Sequence, residues 1–279
     1  MKISIYSKFS SKAAAPVMES IKKGLSKLGH SVVEHDERAD MAVICSTLWL
    51  GRMTHNKKVF ETYRRSKRNV LVLDAGALKR GELWKLGLNA VHSEGYFGSL
   101  GNDRSRRDKL GIILEPWKKQ AGPLLICTQQ HKSHLWTGMP SMQVWVNQII
   151  ILAKKQGWHN IILRPHPRAG MVFPQVRSYG VKILNPKKIA TDEYDFFQAI
   201  KNAGAVVSYS STPGIIAALN GIPVFVGKTS LAYSVRCGDL EELKINSYPD
   251  REQWLNDLVY TEWTKEELEE GTPINRLLN

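Results

Sequence analysis

Short runs of apolar, β-branched residues alternate along the chain with longer stretches in which apolar residues recur every three or four positions. The first pattern is that of buried strands and the second that of amphipathic helices, so the alternation predicts repeated β-α units on parallel sheets. In the first half, KISIYS, MAVICS and VLVLDAG have the length and composition of buried strands. Between the first two, Val17, Ile21, Leu25 and Leu28 mark a helix over residues 13–28, stopped by Gly29 as a C-terminal cap. Between the second and third, a helix over residues 55–67 places Val59, Phe60 and Tyr63 on one side and Lys57, Lys58, Arg64 and Arg65 toward solvent.

The rhythm breaks over residues 76–111, which are rich in Gly, Asn, Ser and charge, and loops are expected there. Residues 115–123 carry the Pro and Gly punctuation of an inter-domain linker. The alternation then resumes. LLICT, NIILRPHP, VKILNP, AVVSYSSTPG and IPVFVG read as strands, and residues 141–156, 191–202 and 215–220 as helices, with Thr191 as an N-cap. Residues 250–278 read as two helices. The expected organisation is a domain over 1–118, a second over 119–249 and a helical tail over 250–279.

Composition narrows this picture. A length of 279 residues suits two domains of ordinary size, and 43% hydrophobic with 23% charged residues is a soluble balance. No apolar run reaches the roughly 18 residues that span a bilayer. The start, MKISIYSKFS, lacks the long apolar stretch and cleavage site of a signal peptide. Cys45, Cys127 and Cys237 are odd in number and dispersed, which suits reduced thiols in a cytoplasmic protein better than disulfides or a zinc site. Charge is uneven: residues 1–118 hold 22 Lys and Arg against 12 Asp and Glu, most of the net +13. Such a field attracts polyanions or an anionic membrane surface.

The candidate chemistry lies mainly in the second half. Ser208-Tyr-Ser-Ser-Thr-Pro-Gly214 joins a buried strand to a helix. A helix start offers unpaired N–H groups and partial positive charge, so Ser210, Ser211 and Thr212, with Gly214 allowing close backbone approach, are suited to cradling phosphate. A plain helix cap by Ser211 or Thr212 is the alternative. Arg164-Pro-His-Pro-Arg168 follows another strand, and its prolines fix the backbone between two guanidinium forks and His166. Two anion-suited turns at strand ends of one sheet are best explained by one diphosphate ligand. A third loop offers Gln129 and Gln130 to a sugar or phosphate.

RPHPR followed by SYSSTPGIIAALNGIPVFV resembles the donor half of GT-B glycosyltransferases, in particular the capsule-polysaccharide and polysialyltransferase-type enzymes. The resemblance covers about residues 124–230. It implies two Rossmann-like α/β domains facing a cleft, a nucleotide-sugar donor (a UDP-sugar being expected) on the C-terminal one, and donor phosphates against His166 and the Ser210–Thr212 hydroxyls. The closing DREQWLNDLVYTEWTKEELEEG also resembles the tails of phage-encoded glycosyltransferase-like proteins. One departure is that no acidic ribose-binding residue is evident after Pro223, in VFVGKTSLAY.

The N-terminal half would then hold the acceptor. An inverting transfer needs a base for the acceptor hydroxyl. Asp74, at a strand's carboxyl end beside Gly76, is the first candidate, Glu94 the second and Asp103 the third, with ordinary loop capping as the alternative for Asp74. No Asp-x-Asp motif calls for a metal, and His30, His35, His55 and His92 show no metal-site spacing. The basic set Arg52, Lys57, Lys58, Arg64, Arg65, Arg104, Arg106 and Arg107, interleaved with aromatics such as Tyr96 and Phe97, points to DNA, and a hydroxymethylated base is the expected acceptor. Two alternatives remain: a polysaccharide or glycerophosphate-type transferase at a membrane surface, and a non-enzymatic nucleic-acid-binding α/β protein.

Overall fold

The apolar KISI run forms strand β1 (Lys2–Ile5), and the amphipathic segment after it forms helix α1 (Ala15–Lys27). This helix begins with a proline in its first turn, where a missing N–H is harmless, and gives way to Gly29 at φ +76°. There follow β2 (Ser31–Glu34), β3 (Met41–Cys45), α2 (Thr54–Arg65), β4 (Asn69–Ala75), β5 (Trp84–Leu88) and α3 (Ser105–Leu110). The later elements are β6 (Leu124–Cys127), α4 (Met142–Lys155), β7 (Ile161–Arg164), β8 (Lys182–Ile183), β9 (Lys188–Ala190), β10 (Glu193–Tyr194), α5 (Phe196–Ile200), β11 (Ala205–Ser208), α6 (Thr212–Leu219) and β12 (Val224–Val226). The chain ends with α7 (Glu252–Leu258), β13 (Glu262–Trp263), α8 (Lys265–Glu270) and α9 (Thr272–Leu278). This computed structural model describes residues 1–190 and 193–279.

The chain divides into two compact units: residues 1–110, 132–134 and 256–279, and residues 111–131 and 135–255. In the first, a six-stranded sheet has the order β13-β5-β4-β3-β1-β2, with β2, β1, β3 and β4 parallel, β5 antiparallel to β4, and β13 antiparallel to β5. Its core sets Ile3, Ile5, Val43, Leu71 and Leu73 against Val17, Met18, Ile21 and Leu25 of α1 and against Leu268, Ile274 and Leu277 of the closing helices. Gly24 lets α8 approach, because a Cβ there would lie 2.1 Å from the Leu268 carbonyl oxygen.

The second unit carries a five-stranded, all-parallel sheet in the order β12-β11-β6-β7-β8. Strands buried on both faces read as unbroken apolar runs, as LLIC, AVVS and VFV do. The Ser141 side chain caps α4 by accepting from the Val144 N–H, and Trp145, Val146, Ile149 and Ile150 bury that helix against the sheet.

Both units therefore have the β-α architecture expected of Rossmann-like domains, but only the second sheet is wholly parallel as expected, the first being mixed through β5. Several local expectations are also revised. The edge strand β2 lies in what reads as a helix-to-strand connection; its half-exposed SVVE is not a buried run. The 76–111 stretch expected to be loop holds β5 and α3. Three helices and a short strand follow residue 250 where two helices were expected, and residues 256–279 pack within the first unit through β13, α8 and α9 instead of standing apart as a tail. Residues 115–118 are held to the second unit: Glu115 N–H donates to Leu219 O, Lys118 N–H to Gly221 O, and the Trp117 indole to Pro249 O. Thr191, expected as an N-cap, lies outside the described residues, and the helix there spans Phe196–Ile200 with Asp195 preceding it.

Candidate functional site

In an open parallel sheet a ligand sits outside the carboxyl ends of the strands, where the strand order reverses. In the second unit the chain runs from β6 outward to β7 and β8, then returns to β11 on the other side of β6, so the reversal lies between β6 and β11. The pairing brings Ser208, Cys127 and Arg164 into register as the last residues of β11, β6 and β7. The loops after those strands are the three that the sequence singles out.

These loops are tied to one another. Gln129 Oε1 accepts from the Ser210 N–H at 3.2 Å and from the Ser210 hydroxyl at 2.7 Å, across the reversal point. The His166 N–H donates to Thr128 Oγ1 at 2.7 Å, and Gln130 Nε2 donates to Arg168 O at 3.0 Å. Thr128, Gln129 and Gln130 are all buried, so these bonds form away from competing water. The structure thus brings Gln129, Gln130, His166, Arg168 and Ser210 together on one edge. Thr128, which aims the Pro-His-Pro turn, was missed in the sequence; a threonine directly after a buried strand was its only signal.

His166 Nδ1 accepts the Arg168 N–H at 3.2 Å. That leaves the ring proton of a neutral imidazole on Nε2, which becomes a donor on the far side of the ring. Ser211 precedes α6 in an extended conformation and makes no side-chain cap bond; its hydroxyl instead lies 2.8 Å from Ser208 Oγ. The helix start is therefore not closed by a serine cap. Thr212 is the first residue of α6. Gly214 sits so close to the sheet that a Cβ would meet Val226 Cγ1 at 2.8 Å, which draws the first turn of α6 against β12.

Arg164 is buried and its Nη2 pairs with Asp195 Oδ1 at 2.6 Å, while Asp195 also accepts the Lys187 N–H. Burial alone would raise the Asp195 carboxyl, but the Arg164 and backbone hydrogen bonds hold it below the ordinary carboxylate value. Among the described residues, Arg164 Nη1 is buried without a hydrogen-bond partner. Burial pushes the adjacent Cys127 thiol up to about 12, with Arg164 opposing, so it remains a protonated core group.

The candidate bases and the basic set belong to the first unit. Asp74, the penultimate residue of β4, is half-buried; its Oδ2 accepts the Ser46 hydroxyl at 3.2 Å and its Oδ1 the Ala75 N–H at 2.8 Å. Ser46 is a non-glycine residue at φ +64° directly after β3, so two strand ends converge on Asp74. Gly76 admits no side chain, because a Cβ would strike Leu83 O at 2.3 Å and Glu262 Oε2 at 2.6 Å. Glu94 is exposed in a turn whose N–H donates to His92 Nδ1, and burial lowers the His92 pKa. Asp103 accepts from the Ser105 N–H and hydroxyl at the start of α3.

The arginine-rich run divides in two. Arg104 is exposed and pairs with Asp108. Arg106 is buried: it is bonded to Glu267, donates to Val259 O and Glu262 O, and lies 4.0 Å from the Trp263 ring centroid. Those partners take Arg106 out of any surface a polyanion reaches, correcting the expectation for it, and Arg107 is buried as well. Lys57, Lys58, Arg64 and Arg65 of α2 and Arg52 just before it are all exposed, with Lys57 3.9 Å from Glu61 and Lys58 3.7 Å from Glu37. Among the described residues no group of three or more His, Cys, Asp or Glu side chains is placed to hold a metal, and no helix is long and apolar enough to cross a membrane.

No protein-family description matches the chain, and no curated protein matches it in sequence. Solved structures do. The β-Kdo 2,4-transferase of Thermosulfurimonas dismutans KpsC superposes with a TM-score of 0.52 at 12% identity, over 94% of this chain and 90% of that one. The β-Kdo 2,7-transferase of the same protein gives 0.52 at 11% identity, over 99% and 100%. The chain has the fold of the GT-B class, two Rossmann-like α/β domains. At these identities the similarity is one of fold.

Proposed function

We propose that this protein is a glycosyltransferase whose second unit binds a nucleotide-sugar donor, a UDP-sugar being the first to test, and that it transfers the sugar to a hydroxyl presented to its first unit. The observation that carries the reading is the cross-tied edge of the second sheet. Gln129–Ser210, Thr128–His166 and Gln130–Arg168 fix three polar loops at the strand-order reversal. Sugar transfer breaks the bond between the anomeric carbon and a phosphate oxygen, leaving negative charge on the phosphate. Donors held in place by other bonds stabilise that charge without reorganising. His166 Nε2–H, the N–H groups at the uncapped start of α6 and the exposed Arg168 are such donors. Asp74 is proposed to take the acceptor's proton in an inverting transfer. The solved structures of the same fold are named Kdo transferases, so acidic sugars belong in the donor panel beside neutral ones.

The proposed acceptor is a hydroxymethylated base in DNA, supported by the exposed Arg52, Arg64 and Arg65 of a strongly basic half. A saccharide hydroxyl is the second reading. It is favoured by the pairing of Lys57 and Lys58 with glutamates, which removes charge a polyanion would use. The test is a thermal-shift panel of nucleotide sugars on the wild type and His166→Ala, followed by mass spectrometry of nucleosides from hydroxymethylated DNA incubated with the donors that bind. A shift lost in His166→Ala and a sugar mass on one nucleoside are expected. No shift with any donor would remove the activity, and a shift without a nucleoside product would move the acceptor to a saccharide.

A further inference from the structure

The first unit has its own strand-order reversal. The chain runs from β1 outward to β2 and returns to β3 on the other side of β1, so the reversal lies between β1 and β3. A pocket of about 240 Å³ opens there, outside the carboxyl ends of the strands. Its lining comes from the turn after β1 (Tyr6 and Phe9), the turn after β2 (His35 and Glu37) and the first two turns of α2 (His55 and Lys58).

The walls are aromatic and mutually braced. Phe9 and His55 stack with ring centroids 4.8 Å apart and planes 26° apart. His35 stands edge-on to Phe9 at 5.0 Å and to Tyr6 at 5.1 Å. His35 is held at φ +51° while its N–H donates to Ile5 O, which pins the ring over the pocket. Asn56, fully buried on α2, donates to both Phe9 O and Cys45 O, so the helix carrying His55 and the turn carrying Phe9 are fixed to each other. The platform is therefore formed before any ligand arrives.

The charges around this platform are of two kinds. Lys58 at the mouth lies 3.7 Å from Glu37, leaving the pocket itself close to neutral. Lys8 beside Phe9, Lys12 further along the same loop and Arg52 just before α2 are exposed and make no ion pair among the described residues. A neutral, ring-walled pocket of one-ring size set among unpaired cations matches a nucleotide unit, whose base is flat and uncharged and whose flanking phosphates are anionic.

We infer that this pocket receives a single pyrimidine base turned out of the DNA stack, placed against Phe9 and His55 while Lys8, Lys12 and Arg52 meet the neighbouring phosphates. The inference rests on the DNA acceptor of the proposed function and assigns it a location. A volume of about 240 Å³ is below the range of roughly 300–1,000 Å³ for drug-sized ligands, which suits one ring better than an oligosaccharide stretch. Enzymes that act on a base extrude it and stack it between aromatic or apolar side chains.

The test uses the full chain and a short duplex carrying one fluorescent cytosine analogue whose emission reports unstacking, with no donor present. Wild type is expected to bind at low salt and change the emission. His55→Ala, at an exposed position, and Phe9→Ala, its folding checked by thermal melt, are expected to lose about tenfold in affinity together with the emission change. They should keep the wild-type salt dependence. The double variant Lys8→Ala, Arg52→Ala should instead flatten the salt dependence and keep the emission change at saturation. Unchanged affinity and emission in both ring variants would overturn the inference, as would a wild type that binds an oligosaccharide but no duplex at low salt. Donor thermal shifts on the same proteins report separately on the second unit, so failure of the activity reading and failure of the base pocket are told apart.

Discussion

Ser210 donates twice to Gln129 Oε1, from its backbone at 3.2 Å and its hydroxyl at 2.7 Å, joining the loops on either side of the strand-order reversal in the second sheet. Gln129 is 5% exposed, so its carbonyl has little water to turn to once Ser210 is altered. Removing the side chain loses two hydrogen bonds and leaves the Ser210 loop unanchored. Gln129→Ala is expected to destabilise the protein by about 1–3 kcal/mol and to weaken donor binding beyond what Ser210→Ala does. Urea melts and donor titrations of the two variants check this. Equal donor affinity in wild type and Gln129→Ala would show that the tie does not shape the site.

The positions of these loops were legible in the sequence because apolar strands and polar turns differ so sharply in composition. LLIC, IILR and AVVS announce their own ends, and whatever follows lies on the carboxyl edge of a parallel sheet. The ties between loops were not legible. Gln129 and Ser210 are 81 positions apart, and nothing local marks either as the partner of the other. The tail was misjudged for a similar reason. Glu262 and Trp263 form too short a strand to show a period, and only pairing with β5 defines them. Arg106 was misplaced because a charge run reads as solvated whichever member turns inward.

The Arg106–Glu267 pair carries a pH prediction. Burial would raise the Glu267 carboxyl, but the Arg106 hydrogen bond and the Thr264 backbone N–H bring it below its ordinary value of 4.5. A group depressed on folding contributes stability that is fully present above its unfolded pKa and is lost as pH falls through its folded one. Asp195, depressed by Arg164, behaves in the same way below its ordinary 3.8. Stability should therefore be level near neutrality and fall below about pH 4.5. Glu267→Gln should reduce stability at pH 7 and flatten that fall. Urea midpoints from pH 7 to pH 3 provide the measurement, and parallel curves for the two proteins would count against the pair.

Gly214 offers a steric prediction at the site itself. Gly214→Ala puts a methyl group 2.8 Å from Val226 Cγ1, and the helix or strand must give way. Overpacking of this kind costs about 1–3 kcal/mol. Because the residue lies in the first turn of α6, the shift should also move the N–H groups proposed to face phosphate. Donor affinity should drop more than stability alone explains. Gly214→Ala combined with Val226→Ala should recover donor affinity, since the second change removes the clash.

The three cysteines give the last prediction. Cys45, Cys127 and Cys237 are all buried as free thiols. Burial pushes Cys45 up to about 12, with the nearby Asp74 carboxylate adding to the rise, and pushes Cys127 up to about 12 and Cys237 upward as well. The thiolate is the nucleophile that attacks a disulfide reagent and expels its other sulfur as a thiolate, so both the low thiolate population and the lack of access suppress reaction. At pH 8 the native protein should be almost inert to a disulfide reagent over minutes, and all three thiols should titrate once urea unfolds it. Cys45 ends β3 opposite Leu73 of β4, one residue before Asp74, so its protection also reports on the proposed base. Asp74→Asn should leave Cys45 unreactive if the strand ends stay packed. Rapid labelling of one thiol in that variant would show that Asp74, through its bond with Ser46, holds the edge together, and would count against proton transfer as its main role.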